Sequence, residues 1–340
     1  MSEEKFCCGF AGCCAAPKIP VVSTSLTAQD ILGAWKVRFG IGRMDYTVEP
    51  GLYSIGQPDN ASPVLVSANY KLTFDTLRKN LCALDCWLLI LDTKGVNVWC
   101  AAGKGTFGTE ELLYRIEKSE LAEIVTHRRL ILPQLGASGV NSNEILRRCG
   151  FSVIFGPVRA DDIQKFIACG YTADQEMRIV KFTMRDRLVL TPLELVTAAK
   201  ISLMVFGVLF LINLFAARPF GMRDFLAYTA AVLIGTVITP VLLPFIPGKA
   251  FAFKGWLVGI LGTALIIWAY GWFSTPFLLL GLGYMLALPV HSAFLAMNFT
   301  GSSTYTSPSG VLKEMKIALP LIILSLLSGL VLILIKTLGG

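Results

Sequence analysis

Two regimes of hydrophobic patterning divide the chain. From Pro63 to Cys169, apolar residues fall in short runs that alternate with amphipathic stretches. They read as strand Val64–Val66, helix Phe74–Leu84, strand Trp87–Leu91, helix Thr109–Ser119, strand Leu130–Leu132, helix Ser142–Cys149, strand Ser152–Phe155 and helix Ala160–Cys169. Such alternation predicts an α/β domain with a doubly wound, mostly parallel sheet. Thr109 before Glu110 and Glu111, and Ser142 before Asn143 and Glu144, each offer a capping hydroxyl and acid at a helix start. Beyond residue 190 the apolar runs lengthen to about 20 residues, enough to cross a bilayer. They lie at Leu195–Phe215, Phe225–Phe245, Phe251–Phe273, Pro276–Phe299 and Ile317–Ile335. Residues 17–62, rich in Gly, Pro, Ser and Thr, predict an irregular lead-in with a strand pair around Trp35–Phe39. The expected division is a flexible Cys-containing tail and lead-in over 1–44, a head domain over 45–190 and a transmembrane domain of five helices over 191–340.

Composition agrees with a membrane protein carrying a soluble head. The chain is 54% hydrophobic, with a mean hydropathy of +0.64, and the apolar excess lies in the second half. Residues 1–30 lack the charged segment and long apolar stretch of a signal peptide, so the head is expected in the cytoplasm. Loop charges agree: Arg185, Arg187, Lys249, Lys254, Lys313 and Lys316 fall on the side of the head, against Arg218, Arg223 and Lys336 opposite. The expectation is a multi-pass protein of the cell membrane, surrounded by membrane lipid, with its amino-terminal domain cytoplasmic and its carboxyl terminus outside. The net charge of +7 is largely accounted for by these flanking residues. No basic stripe interleaved with aromatics occurs, so no nucleic-acid partner is expected.

The segment Asn97-Val98-Trp99-Cys100-Ala101-Ala102-Gly103-Lys104-Gly105-Thr106-Phe107 follows the apolar strand and the turn Asp92-Thr93-Lys94-Gly95. Cys100 therefore sits just past a strand end, where open α/β sheets bind cofactors, among residues small enough for close backbone approach. Taken alone, the cysteine reads either as a buried structural thiol or as a sulfur facing a large planar ligand. The other strand ends are also followed by small residues: Ser67-Ala68-Asn69, Gly136-Ala137-Ser138-Gly139 and Gly156-Pro157-Val158-Arg159-Ala160. Four such loops would floor a flat macrocycle, or they simply terminate strands as glycines do in any α/β protein. No GxxxxGK[ST] loop or GxGxxG fingerprint is present, which disfavours the nucleotide-binding versions of this architecture.

The string from Asn97 to Phe107 resembles the signature of the mercury-methylating corrinoid (HgcA) family. Pro63-Val64-Leu65-Val66-Ser67-Ala68-Asn69-Tyr70-Lys71-Leu72-Thr73 resembles the cobalamin domain of the large subunit of the corrinoid iron–sulfur protein of acetyl-CoA synthesis. The resemblance covers roughly residues 45–190. It implies a Rossmann-like corrinoid-binding domain ahead of the transmembrane helices, a corrinoid (cobalamin) cofactor with its cobalt, and Cys100 as catalytic residue and lower axial ligand. It also implies cofactor contacts from Ser67, Ala68, Asn69, Thr73, Gly95, Asn97, Val98, Trp99, Ala101, Ala102, Gly103, Lys104, Gly136, Ala137, Gly156, Pro157, Val158 and Arg159. The implied activity, in an anaerobe, is that of a methyltransferase. A methyl group from a methyl-folate-linked donor passes through cobalt to mercury(II), giving methylmercury, with the Cys100 thiolate favouring its departure as a carbanion equivalent. Trp99 and Phe107 would pack around the site. Asn97 and Thr106 either hydrogen-bond to the thiolate or the corrin edge or serve in ordinary cap packing. Because the chain has no CxxCxxCxxxC pattern, the electrons imply a separate iron–sulfur ferredoxin partner, HgcB in that family.

The two histidines lie outside any DxHxxG motif. His127, beside Arg128 and Arg129, reads as a surface residue, whereas His291 falls inside an apolar run and is either an interhelical contact or a functional group. Nine cysteines in a cytoplasmic head argue against a disulfide framework. The pairs Cys7-Cys8 and Cys13-Cys14 lack zinc-ligand spacing, and either capture a thiophilic ion or carry no metal. Two rival readings stand beside mercury methylation. One is a membrane-anchored corrinoid methyl carrier of one-carbon metabolism with a different acceptor. The other is a transporter with a metal-sensing head, which the expected lack of acidic residues within the spans disfavours.

Overall fold

A computed structural model describes residues 19–339. The paired cysteines Cys7, Cys8, Cys13 and Cys14 lie outside the described residues. The chain divides into two units: the chain up to Ala34 with Gly42–Ile179, and Trp35–Ile41 with the chain from Val180 onward.

The first unit is built on a five-stranded sheet of order β1-β3-β2-β4-β5. Its strands are β1 (Gly51–Ile55), β2 (Val64–Ala68), β3 (Cys86–Leu91), β4 (Arg129–Leu132) and β5 (Ser152–Phe155). β2 to β5 are parallel, and β1 closes one edge antiparallel to β3. Successive residues point to opposite faces, and both faces are covered. Val64, Val66, Leu89, Leu91, Leu130 and Leu132 pack into one apolar layer, while Leu65, Leu88, Ile90 and Ile131 pack into the other. Continuous burial explains why these strands read as unbroken apolar runs.

The helices are α1 (Ala28–Arg38), α2 (Lys71–Lys79), α3 (Val98–Lys104), α4 (Thr109–Lys118), α5 (Leu121–Ile124), α6 (Ser142–Cys149) and α7 (Ile163–Ala168). Several expectations need correction. Where a strand pair was expected, Trp35 to Arg38 lie on α1. Thr27 starts that helix: its Oγ1 accepts from the Asp30 N–H at 3.2 Å, and Asp30 Oδ2 accepts from the Thr27 N–H at 2.9 Å. The irregular lead-in also contains β1. Thr109 does not cap its helix. Gly108 holds the cap position, and Thr109 Oγ1 accepts from the Asn141 N–H at 2.9 Å, tying two helix starts together. Asn141, not Ser142, caps α6, through a bond from the Glu144 N–H at 3.3 Å. α2 begins at Lys71 and ends by Asn80, and the last predicted helix opens as a 3-10 turn over Ala160–Asp162.

α2 is pinned to the start of α1 by a closed charge network. Lys71 Nζ lies 2.6 Å from Asp30 and 2.7 Å from Asp75, and Arg78 lies 2.7 Å from Asp30 and 2.8 Å from Asp75. Arg78 also donates to the Ser23 and Ser25 carbonyls. Each of these partly buried charges therefore has opposite-charge partners at hydrogen-bond distance, the condition under which burying ions is tolerated.

Among the described residues, the second unit has five helical segments long and apolar enough to cross a membrane: Met184–Asn213, Met222–Leu242, Phe251–Ala269, Thr275–Ser302 and Ser309–Gly339. Their main helices are α8 (Met184–Asn213), α9 (Met222–Leu233), α10 (Thr239–Leu242), α11 (Phe251–Ala269), α12 (Leu278–Asn298) and α13 (Pro308–Gly339). α9 runs into α10 through a π-helical turn over Ile234–Ile238. Small residues let the backbones meet. A Cβ on Gly259 would lie 2.8 Å from Pro289 Cα, and one on Gly283 would lie 3.0 Å from the Gly329 carbonyl. The helices outrun the apolar runs, and their added length carries Glu194, Asp224 and Glu314, so acidic residues lie on the helices although none falls within the apolar runs themselves. Each is engaged: Glu194 by Ser302, Asp224 by Arg218 and Tyr284, and Glu314 by the Ala252 N–H.

Candidate cofactor-binding site

All four parallel strands end on one edge of the sheet. The chain leaves β2 to build β3 on one side and then crosses back to β4 on the other, which places a topological switch point between β2 and β4. α3 lies across this edge, touching β2 and the turn after β4.

α3 is short, and its ends are chemically specified. Asn97 caps the first turn, its Oδ1 accepting from the Cys100 N–H at 2.9 Å. Gly105 ends the helix at φ +81°, a conformation that glycine adopts without strain. One face is anchored: Ala101 is fully buried, and Val98 and Ala102 nearly so. The opposite face carries Trp99, Cys100, Gly103 and Lys104, all exposed. Trp99 with Gly103, and Cys100 with Lys104, stand one turn apart, so a single surface presents an indole, a thiol, bare backbone and an ammonium group. A Cβ on Gly103 would meet nothing within 4 Å, so a flat molecule can reach the backbone there.

The small residues of the neighbouring loops lie beneath α3 or away from solvent. Ser67, Ala68 and Asn69 are buried. Asn69 braces the loop after β3: its Oδ1 accepts from the Thr93 N–H, the Thr93 hydroxyl and the Gly95 N–H, and its amide donates to Asp92. Gly136 is buried against Phe107, since an added Cβ would lie 2.5 Å from that ring. A Cβ on Gly139 would lie 2.1 Å from the Phe107 carbonyl and 3.0 Å from Ala102 Cα. Phe107 is wholly buried, a wedge below the helix rather than a wall of the open surface. Thr106 bonds back to the Ala101 carbonyl. Ala137 is half-buried in the same turn, Thr73 lies part-buried on α2, and Gly95 is buried. Gly156 and Pro157 are buried, Val158 is half-buried, and Arg159 is exposed and paired with Asp161. Apart from Arg159, the exposed face of α3 is therefore the part of the expected site that is open to a ligand. Asn69, Gly136 and Gly139, with Phe107, are its support.

Both nitrogens of His127 are engaged. Nδ1 accepts from the Arg129 N–H at 3.2 Å, so Nε2 donates to the Ser62 carbonyl at 2.9 Å. Among the described residues no three His, Cys, Asp or Glu side chains cluster to hold a bare metal ion. A metal held by the exposed face of α3 must therefore arrive inside a group that supplies most of its own ligands, with Cys100 as the one soft protein donor. Cys86, by contrast, is fully buried, and burial pushes its thiol up to about 12.

A family model described as the CO dehydrogenase/acetyl-CoA synthase delta subunit matches residues 21–167. The acetyl-CoA decarbonylase/synthase complex subunit gamma of Methanopyrus kandleri is 35% identical over 122 residues, 35% of this chain and 26% of the relative. That of Methanocaldococcus jannaschii is 35% identical over 127 residues, 37% of this chain and 26% of the relative. The Archaeoglobus fulgidus subunit is 29% identical over 154 residues, 43% of this chain and 32% of the relative. The head is a distant relative of these subunits. The chain spans about a quarter to a third of their length, and the family-model match over residues 21–167 includes the sheet, α3 and its supporting loops.

Proposed function

We propose that the head binds a corrinoid over the exposed face of α3, that Cys100 is the lower ligand to its cobalt, and that the protein is a methyltransferase acting on mercury(II). The observation that carries this reading is the position of Cys100: an exposed thiol on a capped helix across the carboxyl edge of the sheet, beside the open backbone of Gly103. The residues fit such a group. A thiolate is a soft donor suited to a late transition metal, and the surface beside it is free of protruding side chains at Gly103 and Gly105. Likeness to subunits of acetyl-CoA complexes supports the corrinoid part of this reading, since the resemblance of Pro63–Thr73 is to a cobalamin domain.

When bound, the corrinoid supplies a cobalt-held methyl group for transfer to an electrophile. The chain's contribution is donor strength and placement. Cys100 would supply the thiolate that holds the metal, and a donor of that strength would favour transfer of the methyl to an electrophile. Asn97 fixes the backbone that carries the thiol, Trp99 offers a flat apolar surface for the macrocycle and Lys104 a cation for its polar periphery. The close approach of Ala102 to Gly139 fixes the height of the helix over the sheet. A ferredoxin partner, a folate-linked methyl donor and a cytoplasmic placement of the head at the cell membrane complete the proposal.

A second reading, a membrane-anchored corrinoid carrier with a different methyl acceptor, is favoured by the names of the relatives. The deciding experiment measures methylmercury made from mercury(II) by anaerobic host cells with the gene intact, deleted, or restored as Cys100→Ala at equal protein level. Loss of product in the deletion and in Cys100→Ala supports the first reading. Wild-type cells that express the protein and make no methylmercury would move the assignment to the second.

A further inference from the structure

The membrane unit contains a cavity of about 760 Å³ that the proposed methyl transfer does not use. Its walls come from the second half of α8 (204–213), the start of α9, residues 284–291 of α12 and residues 326–334 of α13. The volume falls within the range of small-molecule sites, roughly 300–1,000 Å³.

The chemistry of the walls narrows what could fill it. The lining is mainly aliphatic and aromatic, and rings form a continuous row. The Phe206 centroid lies 5.1 Å from that of Phe225 and 5.2 Å from that of Tyr228, and Tyr228 lies 5.1 Å from His291. The polar groups along the row are neutral or compensated. Asp224 is matched by Arg218 at 3.3 Å, the Tyr284 hydroxyl at 2.6 Å and the Gly221 N–H at 2.9 Å. Asn213 is closed onto the Phe220 backbone in both directions, and the Tyr228 hydroxyl meets Ser202 at 3.0 Å. His291 differs: its buried Nε2 has no hydrogen-bond partner. An ionisable side chain at membrane depth with an unused nitrogen marks a functional group more often than a packing element.

No uncompensated charge faces the cavity, so it does not suit the charged headgroup of a phospholipid. The sequence has no cysteine beyond Cys169, so the cavity has no thiolate for a soft metal ion either. The geometry points to a binding site for a neutral, ring-headed lipophile of the quinone class. Its flat head stacks along the Phe206–Tyr228–His291 row, a ring carbonyl accepts from the His291 imidazole, and its apolar tail runs between α8 and α13. The inference concerns the membrane unit alone and stands whichever acceptor the head serves.

The test uses the full chain in nanodiscs of quinone-free phosphatidylcholine, titrated with the fluorescent quinone-site probe 2-heptyl-4-hydroxyquinoline N-oxide. The expected result is saturable quenching at about one site per chain, reversed by added menaquinone-4. Replacing His291 by Phe should weaken binding by up to about tenfold, as expected for one lost hydrogen bond. Leu288→Trp, which fills the cavity from a buried wall position, should abolish it. Leu321→Trp, the same change at an exposed position outside the lining, should leave it unchanged. Quenching that never saturates, that Leu288→Trp does not alter, or that menaquinone-4 does not reverse would overturn the proposal. So would native mass spectrometry showing a phospholipid retained in the presence of excess menaquinone-4. If Leu288→Trp fails to fold, His291→Phe and the competition decide the matter.

Discussion

Replacing Asn97 by alanine tests whether the exposed thiol is held by its cap. The Asn97 side chain satisfies the Cys100 N–H at 2.9 Å, and α3 spans only seven residues, so no later turn compensates for a frayed start. Losing an Asn cap costs about 0.5–2 kcal/mol, typically about 1. The cost falls on the first turn, because Ala101, Ala102 and the Gly105 terminus remain anchored. At about 1 kcal/mol the open fraction of that turn rises roughly fivefold. Hydrogen exchange on the full chain should therefore show protection of the Cys100 amide falling by about this factor in Asn97→Ala. Protection in the sheet amides of Leu89 and Leu91 should stay unchanged, and Asn97→Asp, which keeps an acceptor, should stay near wild type. Unchanged protection at Cys100, or an Asp variant as frayed as the Ala variant, would refute the reasoning.

Other expected outcomes follow from the same geometry. Gly139→Ala forces a Cβ to within 2.1 Å of the Phe107 carbonyl, so backbone must move. It should destabilise the head by about 1–3 kcal/mol, read as a lower melting temperature of the head, whereas Gly103→Ala, with open space before it and a better helix former in place of glycine, should not lower that melt. Burial pushes the Asp30 carboxyl up, but hydrogen bonds from Lys71, Thr27 and Arg78 outweigh it and hold the group well below its ordinary 3.8. The unfolded chain then binds the proton first. The stabilisation is complete above the ordinary carboxylate range, begins to be lost as pH falls through that range, and is gone only below the depressed value of the folded state. The stability gap between wild type and Asp30→Asn should accordingly narrow from about pH 5 to about pH 3, and a gap independent of pH would contradict the network. Alkylation of the native chain should label exposed Cys100 and spare Cys86, whose thiol is buried and pushed up to about 12, until the head unfolds. Peptide mass spectrometry reads both sites.

The strands were legible because Leu88–Leu91 and Val64–Val66 are buried on both faces, so their sequence is apolar without interruption. The five long helices were legible for a different reason: much of their surface is exposed in the structure, yet a helix suited to cross a membrane is apolar on all sides. α1 escaped because its apolar positions Ile31, Leu32 and Trp35 are exposed and give no core-facing stripe. The Thr27-x-x-Asp30 capping box was the available signal, and the corresponding Thr183-x-x-Asp186 box starts α8 well before its apolar run. At the site, small residues were visible but their depth was not. Asn69, Gly136 and Gly139 serve as struts under α3, and only three-dimensional packing separates a strut from a contact. Cys100 was prominent in sequence through its setting, and its exposure on α3 distinguishes it from the buried Cys86, which composition alone could not do.

The most direct test of the central claim is the absorption spectrum of cobalamin on the purified full chain, wild type against Cys100→Ala, at matched corrinoid stoichiometry under anaerobic conditions. Wild type should bind the corrinoid with a thiolate-ligated cobalt spectrum. In Cys100→Ala the corrinoid should remain, with the spectrum of a cobalt lacking a protein sulfur. Indistinguishable spectra at equal occupancy, or a folded wild-type chain that binds no corrinoid, would contradict that claim.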